Sequence, residues 1–271
     1  MNWFLEPFQY PFMRQALLAA FLVSIICGSL GVYVVLRRMA FIGDALAHSA
    51  LPGLVGAYLL HINLIIGAVL ASVLTALGVG ALSEREDIHE DSAIGILFTA
   101  MFAVGVLLMS MQKSYRDFAH MLFGDLLGVT PADQTFMLIT ACFCVLLVVL
   151  LHKELLLTSC DPEYASCIGL RPRMIRYLLL VALGLAVVAG IQAVGVILTS
   201  AMLITPAASA RLLTRRLAPM LLLSIGIAAL SSLVGLYASY YASLPPGAAI
   251  VVACTGFFLL SWLGRAIADR V

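Results

Sequence analysis

Asp44 and His48 stand four residues apart in Gly43-Asp-Ala-Leu-Ala-His-Ser49, inside a stretch that otherwise reads as membrane-spanning. On a helix this spacing stacks the carboxylate and the imidazole on one face. Ionisable groups are costly in hydrocarbon, so they face a protein interior or a water path and mark transport or proton handling. One carboxylate with one imidazole suits a borderline or moderately hard divalent cation such as Mn²⁺, Fe²⁺ or Zn²⁺. The plainer alternative is a hydrogen-bonded Asp–His pair that only locks two helices. Two ligands are too few for a tetrahedral or octahedral shell. Two chains meeting about an axis would supply two Asp and two His, so the ligand count predicts a dimer. At 1.5 Å of rise per residue from Arg38, Asp44 lies about 9 Å and His48 about 15 Å up, which puts His48 near the midplane. Transporters hold substrate at that depth, between packed helices.

The elements that must position this pair are membrane helices. The 271 residues are 63% apolar and 11% charged, far from the roughly 45–50% and 25% of soluble domains. Nine apolar stretches approach or exceed the length that crosses a bilayer: 13–36, 39–60, 64–82, 93–111, 135–151, 175–189, 195–210, 217–240 and 247–263. The sixth and seventh are short and nearly contiguous, so eight spans is the alternative. The expected fold class is all-α, a polytopic membrane protein with eight to nine transmembrane helices. One membrane domain over 1–271 is expected, because no loop runs much beyond about 20 residues and no linker tract intervenes.

The net charge of +1 points to no nucleic-acid partner, whereas the placement of basic residues orients the chain. With the N-terminus outside and nine spans, twelve Lys and Arg fall on one side and only Arg14, Lys113 and Arg116 on the other. The first side is then cytoplasmic, together with the C-terminus. Segments 83–91, 152–174 and 211–216 face inward, and 113–134 faces outward. The first twelve residues carry no Lys or Arg, unlike the start of a cleavable signal peptide. The six cysteines show no Cys-x-x-Cys spacing and receive no role.

Small-residue stripes should mark close helix contacts: Ala16, Ala20, Ser24 and Gly28 on the first span, and Ala68, Ser72, Ala76 and Gly80 on the third. Pro52 and Pro206 remove backbone donors inside their spans, where kinks are expected. Thr130-Pro-Ala-Asp133 reads as the start of the fifth helix.

Asp161-Pro-Glu-Tyr-Ala-Ser-Cys-Ile-Gly169 reads as a short helix through Tyr164 and Ala165. Asp161 caps it, Pro162 opens it, Glu163 complements its dipole and Gly169 closes it. It is either an ordinary interfacial helix or a docking element for a soluble motor. His61, after the second span, and His120 with Asp117 and Asp125 in the outer loop are candidates for an entry site or for plain solvated positions. His89 sits in the acidic run 84–91, read as a solvated turn.

Four segments in order resemble the permease subunits of ATP-binding-cassette importers for zinc and manganese, the ABC-3 family, over about 17–263. They are Arg37-Arg-Met-Ala-Phe-Ile-Gly-Asp-Ala-Leu-Ala-His48, Leu122-Phe-Gly-Asp-Leu-Leu-Gly-Val-Thr-Pro131, 161–169 and Leu198-Thr-Ser-Ala-Met-Leu-Ile-Thr-Pro-Ala-Ala-Ser-Ala-Arg-Leu-Leu213. The resemblance implies an all-helical permease paired with a second permease subunit, often identical, and with two cytoplasmic ATPase subunits. It also implies an extracytoplasmic metal-binding protein that delivers the ion. Asp44 and His48 would line the metal path, and 161–169 would be the coupling helix. The chain carries no Gly-x-x-x-x-Gly-Lys-Ser/Thr loop, so ATP would be hydrolysed on a partner. It would need no cofactor of its own, and manganese, zinc and iron all remain open as cargo. The alternatives are a proton-coupled secondary metal transporter, with His48 titrating near neutral pH, and, further off, a membrane-embedded metallohydrolase.

Overall fold

Proline opens five of the eleven helices found among the described residues, where its missing N–H would have no intrahelical partner anyway. The computed structural model describes residues 9–84, 87–110, 126 and 128–268. The helices are α1 (Pro11–Leu36), α2 (Ile42–Leu59), α3 (Leu64–Leu82), α4 (Glu90–Ser110), α5 (Pro131–Leu150), α6 (His152–Cys160), α7 (Pro162–Cys167), α8 (Pro172–Val194), α9 (Val196–Leu213), α10 (Leu217–Ala242) and α11 (Pro246–Ala268). Asn63 caps α3 by accepting from the Ile65 N–H at 2.9 Å. Thr130 and Asp133 form a reciprocal capping box at the start of α5.

Eight of these helices are long and apolar enough to cross a membrane. The chain is a multi-pass membrane protein. Helix α2 has the length, at 18 residues, but Asp44, His48 and Pro52 dilute its apolar character. The short sixth stretch read from composition is a full helix of 23 residues, because its polar Arg173, Arg176 and Gln192 continue the helical turn. Gly195, at φ 82° and ψ 172°, separates α8 from α9 in a conformation that side chains rarely adopt. The polar stretch after α5 also holds the nine-residue helix α6.

Helices α1 and α8 form the covered centre, while α4 and α11 lie at the edge with most of their apolar surface bare. Helix α1 packs on α5, α8, α9 and α10. Its small-residue stripe meets α10, where the Ser24 and Ser232 hydroxyls lie 3.1 Å apart and Gly28 faces Ile225. The α3 stripe meets α8 through Ser72 and Gly184 and through Gly80 and Tyr177. Helices run through Pro52 and Pro206. Helix α2 packs chiefly on α3 and α4. Its backbone approaches α3 at Gly53 and Gly67, where either Cβ would fall about 2 Å from the other residue's carbonyl oxygen.

Arginines tie one end of the bundle together. Arg176 donates to the Gly80 carbonyl at 2.6 Å and Arg211 to the Val35 carbonyl at 2.8 Å, satisfying helix C-termini. Arg37 donates to the Ser159 and Thr158 hydroxyls on α6. Burial pulls the Arg37 guanidinium below its ordinary range, and the Glu90 carboxylate opposes that shift.

Candidate metal site

Arg38 takes a left-handed conformation at φ 61°, and Met39 folds back to donate to the Val34 carbonyl. The chain therefore makes a tight turn over 37–41, and α2 begins at Ile42. A count of depth from Arg38 at helical rise overstates the climb. Measured along α2, Asp44 is about 3 Å past the helix start, at the arginine-rich end, and His48 is about 9 Å past it, nearer the middle of this 18-residue helix. Asp44 lies in the first turn, where a carboxylate complements the helix dipole.

Both side chains are half-buried and line one cavity of about 540 Å³ between α2, α4 and α9. Phe98 and Phe102 of α4 hold the His48 ring edge-on, at centroid distances of 5.4 and 5.3 Å. His48 Nδ1 is buried without a hydrogen-bond partner. A nitrogen locked into a structural Asp–His bond would not be left this way. Among the described residues, no three His, Cys, Asp or Glu side chains converge closely enough to hold an ion. One copy of the chain thus offers an incomplete shell on the wall of a roomy, partly apolar cavity. Such a surface can meet a divalent cation but does not enclose it.

The sequence profile of the ABC 3 transport family matches residues 9–265. The chain belongs to that family. Among curated ABC 3 relatives, the manganese transport system membrane protein MntC of Halalkalibacterium halodurans is 44% identical over 254 residues, covering 93% of this chain and 87% of that protein. The chelated iron transport system membrane protein YfeD of Yersinia pestis is 37% identical over 256 residues, covering 94% and 86%. The solved structure of PsaBC from Streptococcus pneumoniae in complex with Fab superposes with a TM-score of 0.84 at 36% identity, over 96% of this chain and 94% of that one.

The other described residues singled out in this ABC 3 sequence do not line the cavity. His61 is exposed in the turn after α2, with φ 53°. His120, Asp117 and Asp125 lie outside the described residues. Asp161 caps α7 by accepting from the Tyr164 N–H at 2.9 Å, and Pro162 opens that helix. Glu163 and Tyr164 are exposed, Ala165 is buried, and Gly169 closes the turn at φ 86°. Sequence reasoning passed over two polar residues on the cavity wall, Asp91 and Ser200. Asp91 belonged to an acidic run read as a solvated turn. Ser200 gave no signal in an apolar span.

Proposed function

We propose that this chain is the membrane-spanning permease subunit of an ATP-driven importer for a divalent transition metal, acting as one membrane domain. The observation that carries the reading is the placement of Asp44 and His48 together on a cavity wall within the helix bundle, with His48 Nδ1 unpartnered. The manganese and iron named for its relatives fit a carboxylate–imidazole pair, and zinc fits the same ligands.

Because one chain supplies two ligands, a second permease copy, identical by the ligand count, completes the shell. The arginine-rich end faces the cytoplasm under the positive-inside rule, with the N-terminus outside and the C-terminus inside. Two ATPase subunits dock on that side and hydrolyse the ATP. Asp161, Pro162, Glu163, Tyr164, Ala165 and Gly169 pass their motion to the bundle, supported by an exposed, capped helix next to α6. An extracytoplasmic binding protein releases the ion at the opposite end, where His61, His120, Asp117 and Asp125 are candidates for first contact. The ion then meets Asp44 and His48 and leaves inward by alternating access.

Near-isosteric Asp44→Asn and His48→Gln should each abolish manganese uptake in cells that insert the protein normally. Retained uptake in both variants removes the pair from the path. Uptake by the purified chain alone under a proton gradient, without an ATPase, would instead establish the proton-coupled alternative.

A further inference from the structure

The cavity beside Asp44 and His48 extends past the pair, from Asp91 in the first turn of α4 to Val196 at the start of α9. Ser200 is 8% exposed, and its hydroxyl has no hydrogen-bond partner. Helical serines and threonines usually donate to the carbonyl four residues back, as Thr199 and Ser209 do on the same helix at 2.7 and 2.8 Å. Ser200 does not. Its oxygen lies against the first turn of α2, 3.6 Å from where a Gly43 methyl would sit, and Ser200 lines the same cavity as Asp44. A buried hydroxyl without a protein partner, in the lining of a cavity that also carries two carboxylates, has its oxygen free for an ion or its water.

Consecutive residues of α4 divide two cavities. Asp91 faces the one that holds Asp44 and His48, while Glu90 faces a separate cavity of about 850 Å³ at the arginine-rich end. The α4 first turn thus contributes one carboxylate to each cavity. The three carboxylate and imidazole groups of the metal cavity do not converge as one shell.

Building on the permease reading above, we propose that Asp91 is a second stop for the divalent cation, between Asp44/His48 and the arginine-rich end, with the Ser200 hydroxyl as an added oxygen ligand at the first stop. Two oxygen donors beyond the Asp–His pair tilt the route toward harder cations such as Mn²⁺ and away from Zn²⁺.

Two measurements test this. Manganese binding to the purified, bilayer-reconstituted permease, read by electron paramagnetic resonance, should weaken about tenfold in Ser200→Ala, in line with the loss of a supporting group at a metal site. Ser200→Cys should weaken manganese binding and strengthen zinc binding, an inversion that a purely structural hydroxyl would not produce. In cells expressing the complete transporter, Asp91→Asn should lower the saturated manganese uptake rate about tenfold, as for a barrier raised on the inward side. Asp91→Glu should restore the rate. Parent-like binding and metal preference in the Ser200 variants would overturn the serine ligand. A parent-like rate in Asp91→Asn, or no rescue by Glu, would overturn the second stop. Asp44→Asn separates the two levels: if it blocks uptake while the Asp91 and Ser200 variants behave like the parent, only this inference fails, whereas normal uptake in Asp44→Asn sinks the permease site itself.

Discussion

Replacing Gly53 with alanine tests how α2 is held. The added Cβ would lie 2.1 Å from the Gly67 carbonyl oxygen and 2.6 Å from the Ala71 Cβ. Ordinary contact begins near 3.4 Å, so α2 and α3 must separate by about 1 Å. Because a backbone oxygen rather than a flexible side chain is in the way, the overpacking falls at the upper end of the usual range, about 2–3 kcal/mol; alanine's better helix propensity returns about 1 kcal/mol, leaving a net loss of about 1–2 kcal/mol. Unfolding of the purified protein in detergent reads that loss. Gly56, on the same helix, is the internal control, since no neighbouring atom lies within 4 Å of its Cβ position. Gly56→Ala should be neutral or stabilising by up to about 1 kcal/mol. Gly67→Ala should cost as much as Gly53→Ala, because its Cβ meets the Gly53 oxygen at 2.2 Å. The double variant should cost less than the two singles combined, because the helices part only once. Manganese uptake should fall in Gly53→Ala, since the same helix carries Asp44 and His48. Single variants as stable as the parent, or strictly additive costs, would refute the close approach and its role in setting the site.

Three further outcomes follow from the helix ends. Arg176→Met removes the donors to the Gly80 and Ser83 carbonyls and should cost about 1.5–3 kcal/mol, with faster hydrogen exchange in the last turn of α3. Asp161→Ala removes the cap on α7 at a local cost of about 1 kcal/mol and should uncouple ATP hydrolysis from metal uptake in the assembled transporter, whereas Asp161→Ser keeps both. Thr130→Val breaks the capping box of α5, so exchange in its first turn should rise while uptake stays at the parent level.

What composition and spacing disclose is the part of the fold governed by local rules. Thr130-Pro131 and Asp161-Pro162 start helices as their side-chain chemistry requires. The stripes through Ser24 and Ser72 lie at contacts with α10 and α8. The four-residue interval puts Asp44 and His48 on one cavity wall. What escaped depends on partners distant in the chain. The left-handed Arg38, which lowers the pair relative to a helical count, follows from Met39 folding back onto Val34. Polar residues at the ends of 175–189 hid the true length of α8, because arginine beside the Gly80 carbonyl is satisfied only once α3 is in place. Asp91 and Ser200 reach the cavity through the packing of α4 and α9 around α2, a three-helix arrangement that no single-segment periodicity encodes.

The modest apolarity of α2 bears on how the protein is made. A nascent segment partitions into lipid according to its own sequence, and a carboxylate opposes that step by about 3 kcal/mol at a helix centre and less toward the ends. Helix α2 carries Asp44, His48 and Pro52, and it stands outside the eight segments that qualify by hydropathy. Only Leu60 to Asn63 separate it from the strongly apolar α3, against which its glycine face fits. During biosynthesis the two would leave the translocon as a preassembled hairpin, α3 supplying the lipid affinity that its companion lacks.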